Sequence, residues 1–250
     1  MNTEEQRSKN KEVKKRQSLT IVFCLPGASF SGAFLECWTE LLAWCLANNI
    51  RPILSRKHSC NIYYVRNMCL GADVSRGPHQ KPFNGTIDYD YIMWIDSDIM
   101  FKPQQFARLL GHGKDIVSGI YLMEGGEAFA TVKEWNEEYF ARHGHFRFLR
   151  KADLQSPQNP QSLPRAMPRG EFSNPQVLEV AYTGMGFMLV KKGVFESMEY
   201  PWFRPVEKRI GEMVDFTMED VAFCLRAKEK GFTVLIDPVV RVGHEKKITL

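Results

Sequence analysis

With 250 residues, a net charge of +4, 44% hydrophobic and 25% charged residues, the chain has room for one large α/β domain and the composition of a soluble globular protein. No apolar run approaches the ~20 residues that span a bilayer, which excludes a helical membrane protein, and the hydrophobic content excludes a disordered one. Residues 1–18 hold six Lys/Arg against three Glu, so the body is nearly neutral, lacks the basic face of a duplex-binding domain, and predicts no nucleic-acid partner.

The basic tail reads as a solvated, mobile arm without the apolar core of a secretory signal, so no export by that route is expected. Six cysteines, Cys24, Cys37, Cys45, Cys60, Cys69 and Cys224, show no CxxC pairing. As buried free thiols they fit a reducing compartment, and they offer no zinc ribbon.

Residues 19–25 form a short apolar, β-rich run closed by Pro26-Gly27-Ala28-Ser29, which predicts a first core strand and its loop. Over 34–47 the apolar positions recur at three and four, the mark of an amphipathic helix, so strand, turn and helix begin a βαβ unit. A second strand is expected at 50–54 and a helix at 62–70, interrupted by Arg66 and Asn67 and stopped by Gly71. Arg66 reads either as a contact to a phosphate or a uracil edge or as an exposed helix arginine. The Gly-, Pro- and Asp-rich residues 73–90 lead as a loop into the run Tyr91-Ile92-Met93-Trp94-Ile95. Unbroken apolarity marks that run as a strand covered on both faces.

Asp96-Ser97-Asp98 follows at once. On extended chain the two carboxylates point the same way, at the carboxyl end of a core strand, where open α/β sheets bind ligands. Two such anions call for a metal ion or a shared proton between them. A helix opened by Pro103 and ended near Gly111, then a strand at 116–121, come next. Alternating stretches at 128–135 and 145–149 predict antiparallel strands. Residues 151–175 carry five prolines and read as a long lid or acceptor-facing loop. The apolar stretch 177–190 is broken by Thr183-Gly184-Met185-Gly186, whose glycines allow a bend or a close approach of backbone to a ligand. A helix at 218–230 has Glu219 and Asp220 in its first turn, where the helix dipole favours acids. Two short strands, 233–236 and 239–242, finish the chain, and His244 stands just beyond them.

The acidic pair, Glu219-Asp220 and His244 together suggest a divalent-metal site, since carboxylate, imidazole and phosphate oxygens suit Mn²⁺ or Mg²⁺. Taken singly, Asp96 and Asp98 also fit turn caps and His244 a surface histidine. In order, these features resemble the GT-A glycosyltransferases, which move a sugar from a nucleotide diphosphate to an acceptor hydroxyl. Asp96-Ser97-Asp98 is similar to their DxD motif, Gly184-Met185-Gly186-Phe187 to the glycine segment beside the donor sugar, and Met218-Glu219-Asp220 to their xED motif. The short form is similar to glycosyltransferases of large viruses and phages.

The resemblance implies a single α/β GT-A domain with a Rossmann-like mixed central sheet over 19–250, following the tail of 1–18. Its nucleotide-binding half would be 19–121, and its acceptor and metal-completing half 122–250. It implies Asp98 and His244 as metal ligands, with Asp96 holding the ribose or reaching the metal through water, and Mn²⁺ or Mg²⁺ as the ion. For an inverting reaction Asp220 becomes the candidate general base and Glu219 the second choice; for a retaining one Asp220 would orient the donor or acceptor instead. Pro26, Gly27, Arg66, Ser97, Gly184 and Gly186 would line the nucleotide-sugar, with Lys246 and Lys247 near the diphosphate. UDP-glucose is the first donor candidate and GDP-mannose the second. The acceptor is expected to be a glycan or glycoprotein and the compartment the cytoplasm, that of the host for a viral protein. Two alternatives remain: an aspartyl-phosphate phosphohydrolase using Asp96 as nucleophile, and a nucleotide-sugar-binding module without turnover.

Overall fold

A computed structural model describes residues 18–154 and 177–246 of the chain. The basic tail, almost all of the proline-rich segment and Lys247 lie outside the described residues.

β1 (Leu19–Pro26), α1 (Gly32–Ala47) and β2 (Ile50–Lys57) form the expected βαβ unit, with β1 and β2 parallel. Ser31 caps α1 by accepting a hydrogen bond from the Phe34 amide at 3.0 Å, which satisfies one of the helix's orphan donors. α2 (Ile62–Cys69) is capped in the same way by Asn61. β3 (Tyr91–Ile95), β4 (Ile99–Met100), α3 (Pro103–Gly111) and β5 (Ile116–Ile120) follow, then β6 (Ala128–Val132), α4 (Glu137–His143) and β7 (Phe148–Arg150). The second half contributes β8 (Leu178–Glu179), β9 (Tyr182–Thr183), β10 (Phe187–Lys191), the hairpin β11 (Glu207–Ile210) and β12 (Met213–Phe216), α5 (Glu219–Glu229), β13 (Leu235–Arg241) and β14 (Gly243–His244).

The main sheet has seven strands in the order β2, β1, β3, β10, β5, β13, β8. β10 and β8 run against the others. This is the mixed α/β architecture expected from the sequence. Alternation along the central strands fills both faces. Val22, Cys24, Ile92, Trp94, Met188 and Val190 point into one core, shared with Val65 of α2 and Phe223 of α5. Ile21, Phe23, Met93, Ile95 and Leu189 point into the other, against Phe34 and Leu41 of α1 and Phe106 of α3. Four of the six cysteines are buried and all are free among the described residues, although Cys60 is exposed.

The structure differs from the sequence reading in several places. The stretches 233–236 and 239–242 belong to one strand, β13, because Asp237 is satisfied inside it. Its carboxylate accepts from Arg108 Nε at 2.6 Å, lies 2.7 Å from His112 Nε2, and accepts the Val239 amide at 2.9 Å. Asp-Pro looks like a breaker, but here the strand only shifts register between Ile236 and Arg241. α4 has no counterpart in the sequence expectations; it buries no residue, so it shows no periodicity, and its only signs are the Asn136 cap, the acidic first turn and the stop at Gly144. The β11–β12 hairpin is mostly exposed and equally silent in its pattern.

Candidate active site

The topology brings scattered residues to one edge of the sheet. The loops after β1, β3 and β5 leave from the carboxyl ends of their strands. β10 is reversed, pairing Phe187 with Ile95, so Gly184 to Gly186 enter from that same edge. β14 then pairs with β4, placing His244 opposite Ile99. Sheet edges of this kind are where α/β folds bind ligands.

Asp96 to Asp98 form a turn rather than extended chain, closed by the Ile99 amide donating to the Asp96 carbonyl at 3.1 Å. Strand alternation therefore does not apply to the two carboxylates, which corrects that argument. Each finds its own positive or neutral partner, and the cost of two adjacent anions is avoided.

Asp96 turns to Arg66, whose Nη1 and Nη2 each lie 3.0 Å from one of its oxygens. Arg66 Nε donates to Glu219 Oε1, also at 3.0 Å. The side chain is 2% exposed, so the reading of Arg66 as an exposed helix arginine is corrected: α2 faces the core here, and its charge is met by carboxylates from the turn after β3 and from α5. Burial works against the guanidinium, but Asp96 and Glu219 outweigh it and raise its pKa. Its plane lies over Trp94, 5.5 Å from the ring centroid, a stacking that favours a cation. The Trp94 indole N–H beneath has no hydrogen-bond partner among the described residues. Arg66, proposed from sequence as a nucleotide contact, thus joins the DxD turn to the start of α5.

Asp98 turns the other way. His244 Nε2 lies 3.0 Å from Asp98 Oδ2, and Nδ1 lies 2.9 Å from the Leu122 carbonyl. The carbonyl can only accept, so Nδ1 carries a proton and donates, leaving Nε2 as the ring nitrogen directed at the carboxylate. In neutral imidazole two lone pairs would face each other there, an arrangement relieved by a cation or a second ring proton. The Glu245 amide donates to the Asp98 carbonyl at 2.7 Å and fixes the loop against β14. One imidazole and one carboxylate, open to water and phosphate oxygens, fit Mn²⁺ or Mg²⁺. Among the described residues no three His, Cys, Asp or Glu gather as a metal group. The protein's own donors would thus be Asp98 and His244, while both Asp96 oxygens are engaged by Arg66.

Asp220 stands next to the Arg66 network but outside it. Its Oδ1 accepts the Val221 amide at 2.7 Å, and burial together with the negative charge of Glu219 raises its pKa to about 7. A carboxylate poised there is half-ready to take a proton at neutral pH. Glu219, by contrast, is buried and held by Arg66, which leaves Asp220 the freer of the two acids.

Tyr121, which no sequence motif marks, fits between these groups. It lies edge-on to His244 at 5.1 Å, and its hydroxyl accepts the Gly186 amide at 3.2 Å. A Cβ on Gly184 would fall on the Tyr121 hydroxyl, and one on Gly186 would come within 2.9 Å of the ring. The two glycines are thus needed for the packing of Tyr121, and their spacing is the available signal that something fits closely there. Gly184→Ala is expected to cost ~1–3 kcal/mol by overpacking. Thermal melts should show the loss, and a smaller one when the hydroxyl is absent in a Tyr121→Phe background.

The other sequence candidates lie around this centre. Gly27 packs against the DxD turn, since its Cβ would stand 2.8 Å from that of Ser97. Pro26 is buried at the end of β1, and the Gly27 amide donates to the Lys57 carbonyl at 2.9 Å. Lys246 is exposed just past β14. Among the described residues no helix is long and apolar enough to cross a membrane.

No protein-family model matches the chain, and no curated protein matches its sequence. The chain does resemble solved structures. A197 from STIV superposes with a TM-score of 0.51 at 15% identity, over 92% of this chain and 87% of that one. The inositol-1-phosphate CTP transferase from T. maritima reaches 0.37 at 10% identity, over 92% and 89% of the two chains. Mannosyl-3-phosphoglycerate synthase from Rubrobacter xylanophilus reaches 0.37 at 14% identity, over 93% and 68%. At such identities the likeness to A197 is one of fold, and the two lower scores are too weak to carry an argument.

Proposed function

We propose that the chain is a metal-dependent glycosyltransferase of the GT-A type, moving a sugar from a nucleotide diphosphate to an acceptor hydroxyl. The observation that supports this reading is the Asp98–His244 contact at the carboxyl edge of the sheet, with Asp220, which burial and Glu219 raise to a pKa of about 7, at the start of α5. Geometry of that kind matches the two demands of the reaction: a diphosphate must leave, and a hydroxyl must lose a proton as it attacks.

Asp98 and His244 would hold Mn²⁺ or Mg²⁺, which supplies electrostatic stabilisation of the departing diphosphate. The chain's own residues do the rest. His244 keeps its orientation through the Leu122 carbonyl and Tyr121. The glycine turn at 184–186 brings backbone close to Tyr121 and so fixes that ring beside His244. Arg66 neutralises Asp96 and Glu219, so the turn and the start of α5 tolerate burial. Asp220 accepts the acceptor's proton while the acceptor oxygen bonds to the anomeric carbon and the bond to the diphosphate breaks. Asp96 is a poor nucleophile for the phosphohydrolase alternative, because Arg66 binds both of its oxygens. UDP-glucose is the first donor to try, then GDP-mannose.

The test is calorimetric titration of UDP, GDP, CDP and TDP with Mn²⁺ and then with EDTA. One nucleotide is expected to bind with the metal and to bind at least about ten-fold more weakly, a loss of about 1.4 kcal/mol, with EDTA or in Asp98→Ala and His244→Ala. Binding of none of the four overturns the reading.

A further inference from the structure

A second concave site lies against the start of α5, walled almost wholly by carbon. One wall is an aromatic cluster in which Trp135 and Phe146 have centroids 4.2 Å apart and Phe146 and Tyr182 6.1 Å apart. The opposite wall is the β11–β12 hairpin with Met213 and Phe216, and Val221 also lines the space. Met218 and Val221, which line it too, are the residues on either side of Glu219-Asp220. Tyr182 is near enough to Asp220 that, after burial, the charge of that acid contributes to raising its phenol pKa. Chain neighbours of the acid assigned above as the base thus line the cavity, and none of the donor-side residues does.

Volume and chemistry narrow what it takes. It is a half-open hollow of about 170 Å³, and an enclosed cavity of about 150 Å³ lined by apolar side chains holds benzene. Its few polar neighbours are partly engaged: the Thr217 hydroxyl accepts the Val206 amide at 3.0 Å, Asp215 Oδ1 accepts the Phe216 amide at 2.7 Å, and the Lys208 ammonium stands over Trp135 at 5.5 Å. A saccharide ring placed here would turn most of its hydroxyls to carbon, at a cost of ~1–3 kcal/mol for each one buried without a partner. Phe216 is 62% and Met218 54% exposed, so water-facing carbon surrounds the cavity next to the acid. Exposed carbon beside a concave site is the mark of a surface meant to be covered by a ligand.

We infer that this cavity is an acceptor subsite for an alcohol whose hydroxyl is carried next to a ring-sized apolar group, aryl or alicyclic, rather than for a saccharide ring. The inference rests on the transferase reading for the word acceptor, and on the cavity itself for the class of group bound. The ring would lie between the aromatic cluster and the hairpin, with its hydroxyl directed towards Asp220.

Saturation-transfer NMR and calorimetry with benzyl alcohol and with methyl β-glucoside, on the full chain, test it. Benzyl alcohol is expected to bind at least ten-fold more tightly than the glucoside. Met213→Trp, which fills the cavity, should abolish that binding. Phe216→Ala, at an exposed position where folding is not at stake, should weaken it about three- to ten-fold. Nucleotide diphosphate binding should be unchanged in both variants. Equal binding of the two probes, or benzyl alcohol binding untouched by both substitutions, overturns the inference. Nucleotide binding without benzyl alcohol binding removes the inference and leaves the transferase reading standing. Benzyl alcohol binding that Met213→Trp abolishes, with no nucleotide bound, supports the cavity's ligand class and removes the transferase reading.

Discussion

Asp220→Asn is expected to lower sugar transfer by about 10²- to 10⁴-fold, the usual loss when a positioned general base is removed, while nucleotide diphosphate affinity stays close to that of the parent. In the parent, kcat/KM should rise with pH and level off above about 7, because burial and the charge of Glu219 keep the Asp220 carboxyl protonated below that point. Stability should move the opposite way. The folded-state pKa lies above the ordinary 3.8, so between pH 4 and 7 the native state binds more protons than the unfolded one. Stability then falls as pH rises through that window. Each tenfold gain in proton affinity on folding corresponds to about 1.4 kcal/mol, so the burden above pH 7 is at most about 4 kcal/mol. Asparagine carries no charge to bury. Urea unfolding should find Asp220→Asn more stable than the parent at pH 8 and no different below pH 4. Full transfer activity at pH 8 in this variant would move the base to another group, with Glu219 first in line.

Removing Arg66 is expected to do more damage to the fold than any other single change near the site. Arg66→Ala leaves Asp96 and the buried Glu219 without a counter-charge, and breaking a buried pair costs ~3–5 kcal/mol. In a chain of this size each kcal/mol shifts Tm by roughly 2–4 °C, so a drop of roughly 6–20 °C should appear in a thermal melt. Arg66→Lys should fall between the two. One ammonium can replace neither the two-pronged contact with Asp96 nor the Nε contact with Glu219, since these depend on the planar fork. In a double-mutant cycle, Asp96→Ala combined with Arg66→Ala should cost less than the sum of the two, because the first removes the anion that the second strands. Additive losses would mean that the contact contributes little to folding.

Much of the framework is legible in the residues themselves. The β1 and β3 runs, the helical spacing of α1 and the first turn of α5 announce their elements because each buries a full face, and burial is what writes periodicity into a sequence. α4 and the β11–β12 hairpin bury almost nothing and leave no such mark. The candidate site follows the same rule with one inversion. Asp98 and His244 lie far apart in the chain, and only motif order suggests that they meet. What joins them is a two-residue ladder too short to be seen as a strand. Arg66 misleads because an arginine in a short helix is mostly exposed by default, and its burial depends on two carboxylates arriving from distant segments. Tyr121 carries no motif at all. Its role becomes visible only when the glycines opposite are asked what a methyl group would strike.

The pairing of β14 with β4 has a consequence for how the protein is built. The ladder itself is only two residues on each side, helped by the Glu245 amide on the Asp98 carbonyl and by the His244 contacts to Leu122 and Tyr121. Such a ladder is among the first parts of a fold to open, and does so without disturbing the seven-stranded sheet. The histidine half of the donor pair is therefore a latch rather than a wall, closing after the core has condensed and releasing before it melts. Any ligand that engages Asp98 and His244 together must hold that latch shut. Part of its binding energy then appears as order in the backbone of β14.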